Sequence, residues 1–360
     1  MMRHYRWRVG ATLALFLLPI AVQLHPLNYR TIATQLKTSV LDSCYSDTVR
    51  LLFTGDIMYH MPQVKAAERG HNKFDFDPSW QALKPYIESA DLAVGNLETT
   101  LGRQNFSGYP NFCTPDTLAY TLKRVGFDVI TTANNHAADR GVVGIRHTIQ
   151  KLQEVGLHTT GSYLDHIDRR RRAPLMIEVG GIRIALLAYT YGTNGIRLPS
   201  PYEVALIDTV EMRAQIAEAK GQQADLICIS IHWGDEYQHK PNETQRKLAL
   251  WLKEVGVQAV VGSHPHVRQP LSVDTLSSRP DRVNLLPVFY SLGNLISNQS
   301  QRGTQEGALA IISIVKDRQG TRIVACEEIA TFCHRRSRVR SRYLVVPKKD
   351  CKKWAHLMNV

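Results

Sequence analysis

Leu51-Leu52-Phe53-Thr54-Gly55-Asp56 is an apolar run that breaks at a glycine and closes on a carboxylate. So short an apolar run reads as a β-strand. Five more stretches follow the same plan. They are Leu92-Ala-Val-Gly-Asn-Leu-Glu98, Val129-Ile-Thr-Thr-Ala-Asn-Asn-His136, Ile227-Cys-Ile-Ser-Ile-His-Trp-Gly-Asp-Glu236, Val260-Val-Gly-Ser-His-Pro-His266 and Phe289-Tyr-Ser-Leu-Gly-Asn294. Between them, helical patterns fall near 63–69 and over 80–89, 116–125, 142–155, 210–219 and 245–255; in the fourth, Ile145, Ile149 and Leu152 share one face. Residues 175–179 and 182–187 flank Gly180-Gly181, a hairpin signature, and the runs 308–315 and 322–329 complete the β content. No internal repeat is visible. Strands alternating with helices and closing on hairpins predict an α/β domain with mixed sheets.

In α/β sheets, ligands bind at the carboxyl ends of the strands. The six run ends bring carboxylate, amide and imidazole groups there, a donor set suited to a divalent transition metal. Each cluster alone has a plainer reading. Asp56 could cap a helix, 134–136 could be turn chemistry, and His232 could be a hydrogen-bonded core histidine. His264 and His266, one residue apart, point the same way on an extended chain. Six such coincidences together favour a shared centre. There is no Gly-x-Ser-x-Gly elbow and no glycine loop for phosphate, so the nucleophile of any hydrolysis is expected to be water activated by metal.

Charge narrows the partners. The net charge is +12 over 360 residues, but residues 1–30 carry +4 and residues 335–360 carry +8, which leaves 31–334 neutral. A nucleic-acid face would sit on the folded body, so no nucleic-acid partner is expected. Arg3, Arg6 and Arg8 precede the apolar run 9–24, a positive flank before a hydrophobic segment. We read 1–30 as a signal anchor through the cytoplasmic membrane, with cleavage the alternative. Residues 31–48 then form a tether, 49–334 the folded domain outside that membrane, and 335–360 a solvated basic tail. The four-arginine run 169–172 reads as a solvated loop. Six cysteines without C-x-x-C spacing make neither a disulfide framework nor a zinc ribbon; Cys228 is expected as a packed thiol, and a Cys326–Cys333 pair requires a turn between them.

The clusters resemble the CapA family of poly-γ-glutamate capsule proteins, a branch of the calcineurin-like metallophosphoesterases. The matching segments, in order, are 53–58, 95–101, 132–141, 189–195, 232–237, 262–267 and 290–294. The resemblance implies a four-layer α/β/β/α sandwich of the metallophosphoesterase type with mixed sheets. It implies a centre for one or two divalent ions (Mn, Fe or Zn) held by Asp56, Asn135, His232, His264 and His266, with Glu98 as the bridging carboxylate. His136 is then the acid that serves a leaving group, oriented by Asp139. One position departs: two-metal enzymes of this fold carry a histidine two residues after the first aspartate, and here it is Met58, a poor ligand for such cations. His60 is a substitute at different spacing. On the substrate side, Arg103, Arg140, Tyr191 and Asn194 are rim candidates for an acidic polymer or a phosphoester. The implied function is a capsule-synthesis protein with a metal-dependent hydrolase-like centre, working with other synthase subunits. The alternative is a non-catalytic, membrane-tethered polymer-binding or export subunit.

Overall fold

A computed structural model describes residues 48–276 and 282–358. The proposed anchor, its membrane segment 9–24 and nearly all of the tether lie outside the described residues. Among the described residues no helix is long and apolar enough to cross a membrane.

Fourteen strands build the two main sheets. They are β1 (Val49–Ile57), β2 (Leu92–Leu97), β3 (Val129–Thr131), β4 (His158–Thr160), β5 (Leu175–Val179), β6 (Ile182–Thr190), β7 (Leu226–His232), β8 (Ala259–Ser263), β9 (Arg268–Thr275), β10 (Leu285–Leu292), β11 (Asn294–Ile296), β12 (Glu306–Asp317), β13 (Gly320–Arg335) and β14 (Tyr343–Pro347). The first sheet runs β14-β13-β12-β1-β2-β3-β4, with β11 also paired to β1; the second runs β9-β10-β8-β7-β6-β5. Both are mixed: β1, β2, β3 and β4 are parallel, whereas β12 is antiparallel to β1.

Alternation along β1 shows why the opening run carries no polar face. Leu51 and Phe53 enter a core shared with Ile184, Cys228 and Phe289 of the second sheet. Leu52 and Ile57 point the other way, onto helices α1 (Met61–Ala67), α2 (Lys84–Glu88) and α3 (Thr117–Arg124) through Val64, Ile87 and Leu122. The second sheet repeats the arrangement, with Ile227, Ile229 and Ile231 packed against Met212 and Leu252 of further helices (Thr209–Gly221 and Glu243–Glu254). Helix, sheet, sheet, helix is the expected four-layer α/β/β/α sandwich. Gly180 and Gly181 both hold positive φ, 55° and 72°, as a two-residue turn matched to strand twist requires.

Two expectations change, and a third point that the sequence left open is decided. β13 continues to Arg335, and β14 pairs with it from Thr331↔Pro347 to Arg335↔Tyr343. Residues 335–358 are therefore not a solvated tail: Leu344, Val346 and Met358 form a buried cluster with Ala82 and Val339. The cations of this stretch hid the short apolar strand among them. Second, the four arginines lie on helix His166–Arg172, whose N-cap Asp165 accepts from the Ile167 and Asp168 N–H groups. Arg172 bonds to Asp168, Thr159 and Ser162, and Arg169 pairs with Glu203 at 2.9 Å. Third, Cys326 and Cys333 sit on the one strand β13 and do not pair; all five described cysteines are free thiols, and Cys228 is fully buried.

Candidate metal centre

The centre forms where the tips of both sheets meet. Asp56 is at the end of β1, behind Gly55, whose missing side chain matters: a Cβ there would lie 2.0 Å from the Gly293 carbonyl oxygen. That close approach lets the Asp56 N–H donate to Gly293 O at 2.9 Å and seats β11 beside β1. Asn96 on β2 donates to Asp56 Oδ1 at 2.9 Å, and Glu98 follows that strand. From the second sheet come His232, ending β7, and His264 and His266, just past β8.

Two groups of ligand atoms cluster there, Asp56 with Glu98 and His232, and Glu98 with His264 and His266, all within 4.8 Å of one another inside each group. Glu98 belongs to both. Asn135 Oδ1 lies 2.7 Å from His232 Nε2, and His232 Nδ1 lies 2.8 Å from Ser263 Oγ. His266 Nδ1 is 3.2 Å from Asp56 Oδ2 and 3.1 Å from Asn294 Oδ1. Every one of these side chains is buried.

Hydrogen bonding leaves a gap in this network. Both Glu98 carboxylate oxygens and His264 Nδ1 are buried with no hydrogen-bond partner among the described residues. Orphaning buried polar atoms costs about 1–3 kcal/mol each, and more for a charge. Beyond hydrogen-bond geometry, His232 Nε2 lies 3.3 Å and His266 Nε2 3.8 Å from Glu98 Oε1; a carboxylate ringed by imidazoles with its hydrogen bonds unmade fits a cation.

Backbone strain collects at the same place. His264 and His266 hold φ of 98° and 58°, and Asn194 and Tyr237 hold 50° and 63°. Side chains rarely adopt this left-handed region, and residues held there cluster at functional sites. The expectation of an extended His264-Pro265-His266 is thus corrected. Both imidazoles reach the centre, but through a tight, left-handed turn.

Electrostatics separates the histidines. Burial disfavours a charged His266, but the negative charge of Glu98 and the bond to Asp56 prevail and push it up to about 9. Burial, together with the other imidazoles, draws His264 well below its ordinary value. Asp56 would be raised by burial, yet His266 and the Asn96 amide hold it below the usual carboxylate range.

His136 stands at the rim. Its Nδ1 is 2.8 Å from Asp139 Oδ2, which also accepts from the Phe112 N–H at 2.6 Å. A carboxylate can only accept, so Nδ1 carries the proton and Nε2 is the free nitrogen of the neutral ring. His136 lines a cavity of about 340 Å³ with Met58, His60, Tyr237, His266 and Asn298. Met58 offers no hard donor. His60 Nε2 meets Ser297 Oγ at 3.3 Å, and burial followed by the His266 and His136 charges draws it down to about 4.

Of the four rim candidates, two arrive. The Tyr191 ring lies 4.5 Å from that of His264, and Asn194 Oδ1 accepts from the Asn135 amide at 3.3 Å. Arg103 and Arg140 instead line a different cavity with Cys113 and His147. Arg140 is turned there by its bonds to Asn105 O and Ser107 Oγ, and Arg103 lies 3.8 Å from Asp116. Three contributors escaped sequence reasoning. Asn96, inside the run that ends at Glu98, braces Asp56. Asn294 closes a recognised run and reaches His266. Ser263, next to His264, holds His232 from the neighbouring strand.

Two face-to-face sheets between helical layers, with carboxylate, amide and imidazole groups converging at the strand tips, define an α/β/β/α sandwich with a candidate metal centre. Residues 50–299 match the family described as "Bacterial capsule synthesis protein PGA_cap". The chain belongs to this family of CapA-like capsule biosynthesis proteins. It is 29% identical over 302 residues to the PGA biosynthesis protein CapA of Bacillus subtilis, covering 80% of this chain and 73% of that one. It is 27% identical over 278 residues to the capsule biosynthesis protein CapA of Bacillus anthracis, covering 73% of this chain and 63% of the relative's length. A probable polyglutamine synthesis accessory protein of Mycobacterium tuberculosis is 23% identical over 270 residues, covering 68% of this chain and 67% of that protein. Among solved structures, the calcineurin-like phosphoesterase YfkN of Bacillus subtilis aligns with a TM-score of 0.46 at 14% identity, covering 79% of this chain and 90% of that one.

Proposed function

We propose that this protein is an extracytoplasmic, membrane-tethered component of capsule synthesis whose centre is a metal-dependent hydrolase acting on an acidic polymer of the poly-γ-glutamate type or on a phosphoester. The observation that carries this reading is the buried Glu98 carboxylate, which makes no hydrogen bond, belongs to two ligand groups and has the imidazoles of His232 and His266 at 3.3 and 3.8 Å. Asp56, Glu98, Asn135, His232, His264 and His266 would hold one or two ions of manganese, iron or zinc. A bound ion of this kind supplies Lewis-acid polarisation and lowers the pKa of water. The chain's own part is the acid: Asp139 holds the Nδ1 proton of His136 and so turns Nε2 toward the cavity, where it would first take up a proton and then give it to a leaving group. Tyr191 and Asn194 shape the approach. Support for the location is the run of Arg3, Arg6 and Arg8 before the apolar segment 9–24, and other components of capsule synthesis, the process in its relatives' names, are its expected partners.

Elemental analysis of the purified full chain tests the centre. One or two equivalents of a transition metal are expected, falling to a small fraction in Asp56→Asn and Glu98→Gln. A wild-type chain that takes up none after loading sinks the reading. A second reading, a non-catalytic polymer-binding or export subunit, is favoured by one observation, the thioether of Met58 where paired-metal enzymes carry an imidazole. It wins if His264→Ala with His266→Ala leaves polymer output unchanged while deletion of residues 1–30 abolishes it.

A further inference from the structure

Next to the cavity at His136 lies another, of about 770 Å³, whose chemistry is different. Its wall carries six cations, Lys65, Arg69, Arg335, Arg336, Arg340 and Arg342, against one acid, Glu68. Lys65 comes from α1 and Arg69 from just beyond it, and the rest come from the end of β13 and the turn into β14. Arg336 and Arg342 hold φ of 67° and 59°, in the region that favours glycine. The Ser337 N–H donates to Arg342 O at 2.7 Å and closes that turn. A turn that needs left-handed backbone yet carries arginine has a use for the side chain.

Arg335 shows what is missing. Its Nε and Nη2 are buried with no hydrogen-bond partner among the described residues. Arg69 also has a buried Nε without a hydrogen bond, but it donates through Nη1 to the Ala66 and Glu68 carbonyls at 3.0 and 2.8 Å and has Asp75 at 3.7 Å. Burial pulls the Arg335 guanidinium below its ordinary range, against the opposing influence of Cys333 and Tyr343, and no carboxylate is among its neighbours on this wall but Glu68. A guanidinium fork in this state is complete once a carboxylate or phosphate meets it.

The two cavities share one wall residue, Asn298, which Tyr343 Oη holds at 2.7 Å. A single extended molecule can therefore lie across Asn298, one end beside His136 and the other among the arginines. We propose that the arginine cavity is a subsite for the carboxylates of an extended acidic polymer whose reacting bond sits at the metal centre. This rests on the polymer reading above. Its volume falls in the range of clefts that take molecules of many atoms, and six cations outnumber the charge on any single phosphate. Several acids on one strand match both.

The test is binding of a fluorescent γ-glutamate oligomer to the full chain at low and high salt. Lys65→Glu with Arg340→Glu, both exposed positions, is expected to weaken binding about tenfold or more and to flatten its salt dependence. Arg170→Glu with Arg171→Glu makes the same change of net charge on a distant helix and is expected to leave binding unchanged. Equal losses in the two double variants, or no loss in either, overturn the proposal. So does inorganic phosphate binding as tightly as the oligomer, or anionic vesicles binding through these residues when the oligomer does not. Metal content is read in parallel. Oligomer binding lost with metal retained assigns the loss to the arginine cavity. Oligomer binding kept by a wild-type chain that takes up no metal supports the subsite and removes the reading of the centre instead.

Discussion

His264 and His266 stand two residues apart in the chain and carry opposite protonation tendencies, because only His266 faces both Glu98 and Asp56. With His266 raised to about 9 from an ordinary value near 6.5, its contribution to stability without metal is present in full below about pH 6.5 and fades as pH rises through about 9. Metal must displace that proton. Metal affinity, measured by chelator competition, is therefore expected to climb between about pH 6.5 and 9, and His266→Gln to flatten the climb. Glu98 offers a second check. Glu98→Gln removes the negative charge that does most to hold His266 protonated, so the melting temperature without metal should fall, more at low pH than at high, and the increase on adding manganese should disappear. An increase that persists in the variant would show that Glu98 holds no ion. The residue types at this centre were legible, since each ends an apolar run. Their conformations were not: the left-handed turn at 264–266 follows from where β8 ends against Asp56, a contact across 208 residues.

At the scale of elements, β14 matters most for what it overturns. Leu344, Val345 and Val346 are fully buried, and burying side chains of this size contributes about 1.5–3 kcal/mol each. Against a typical total of roughly 5–15 kcal/mol, a chain ending at Arg335 is expected to be insoluble or to melt far earlier; a solvated tail would be dispensable. Thermal melts of the truncated and full chains decide this. A smaller effect belongs to the helix carrying the arginine run: Asp165→Ala removes its N-cap acceptor and should cost about 1 kcal/mol in denaturant titration. Strand order within the chain was legible because both faces of β1, β2 and β7 are covered. β9 and β14 were not, because β9 carries exposed polar residues at the sheet edge and β14 lies between clusters of cations.

For the whole molecule, the ligands come from both sheets: Asp56 and Glu98 from one, His232, His264 and His266 from the other. An ion held by all of them ties the two layers together. At a hundredfold excess over its dissociation constant it should stabilise the fold by about 2.7 kcal/mol. Scanning calorimetry of the full chain with manganese and after chelation measures this, and an unchanged melting temperature would count against a shared ion. Gly55 sits at the same seam, and Gly55→Ala should lower both metal uptake and melting temperature, because its Cβ has no room beside Gly293.

Local pattern was enough to establish an α/β domain with mixed sheets and the residues that close its strands, since apolar runs and polar strand tips leave their mark in consecutive positions; the four layers were implied by the resemblance alone. Tertiary structure alone decided that Arg103 and Arg140 turn away from the centre, that Asn96, Ser263 and Asn294 brace it, and that arginines from a hairpin and a lysine from α1 wall one cavity. Such relations join residues tens to hundreds of positions apart. No periodicity records them, because they arise only when separate strands are brought to the same end of the packed sheets.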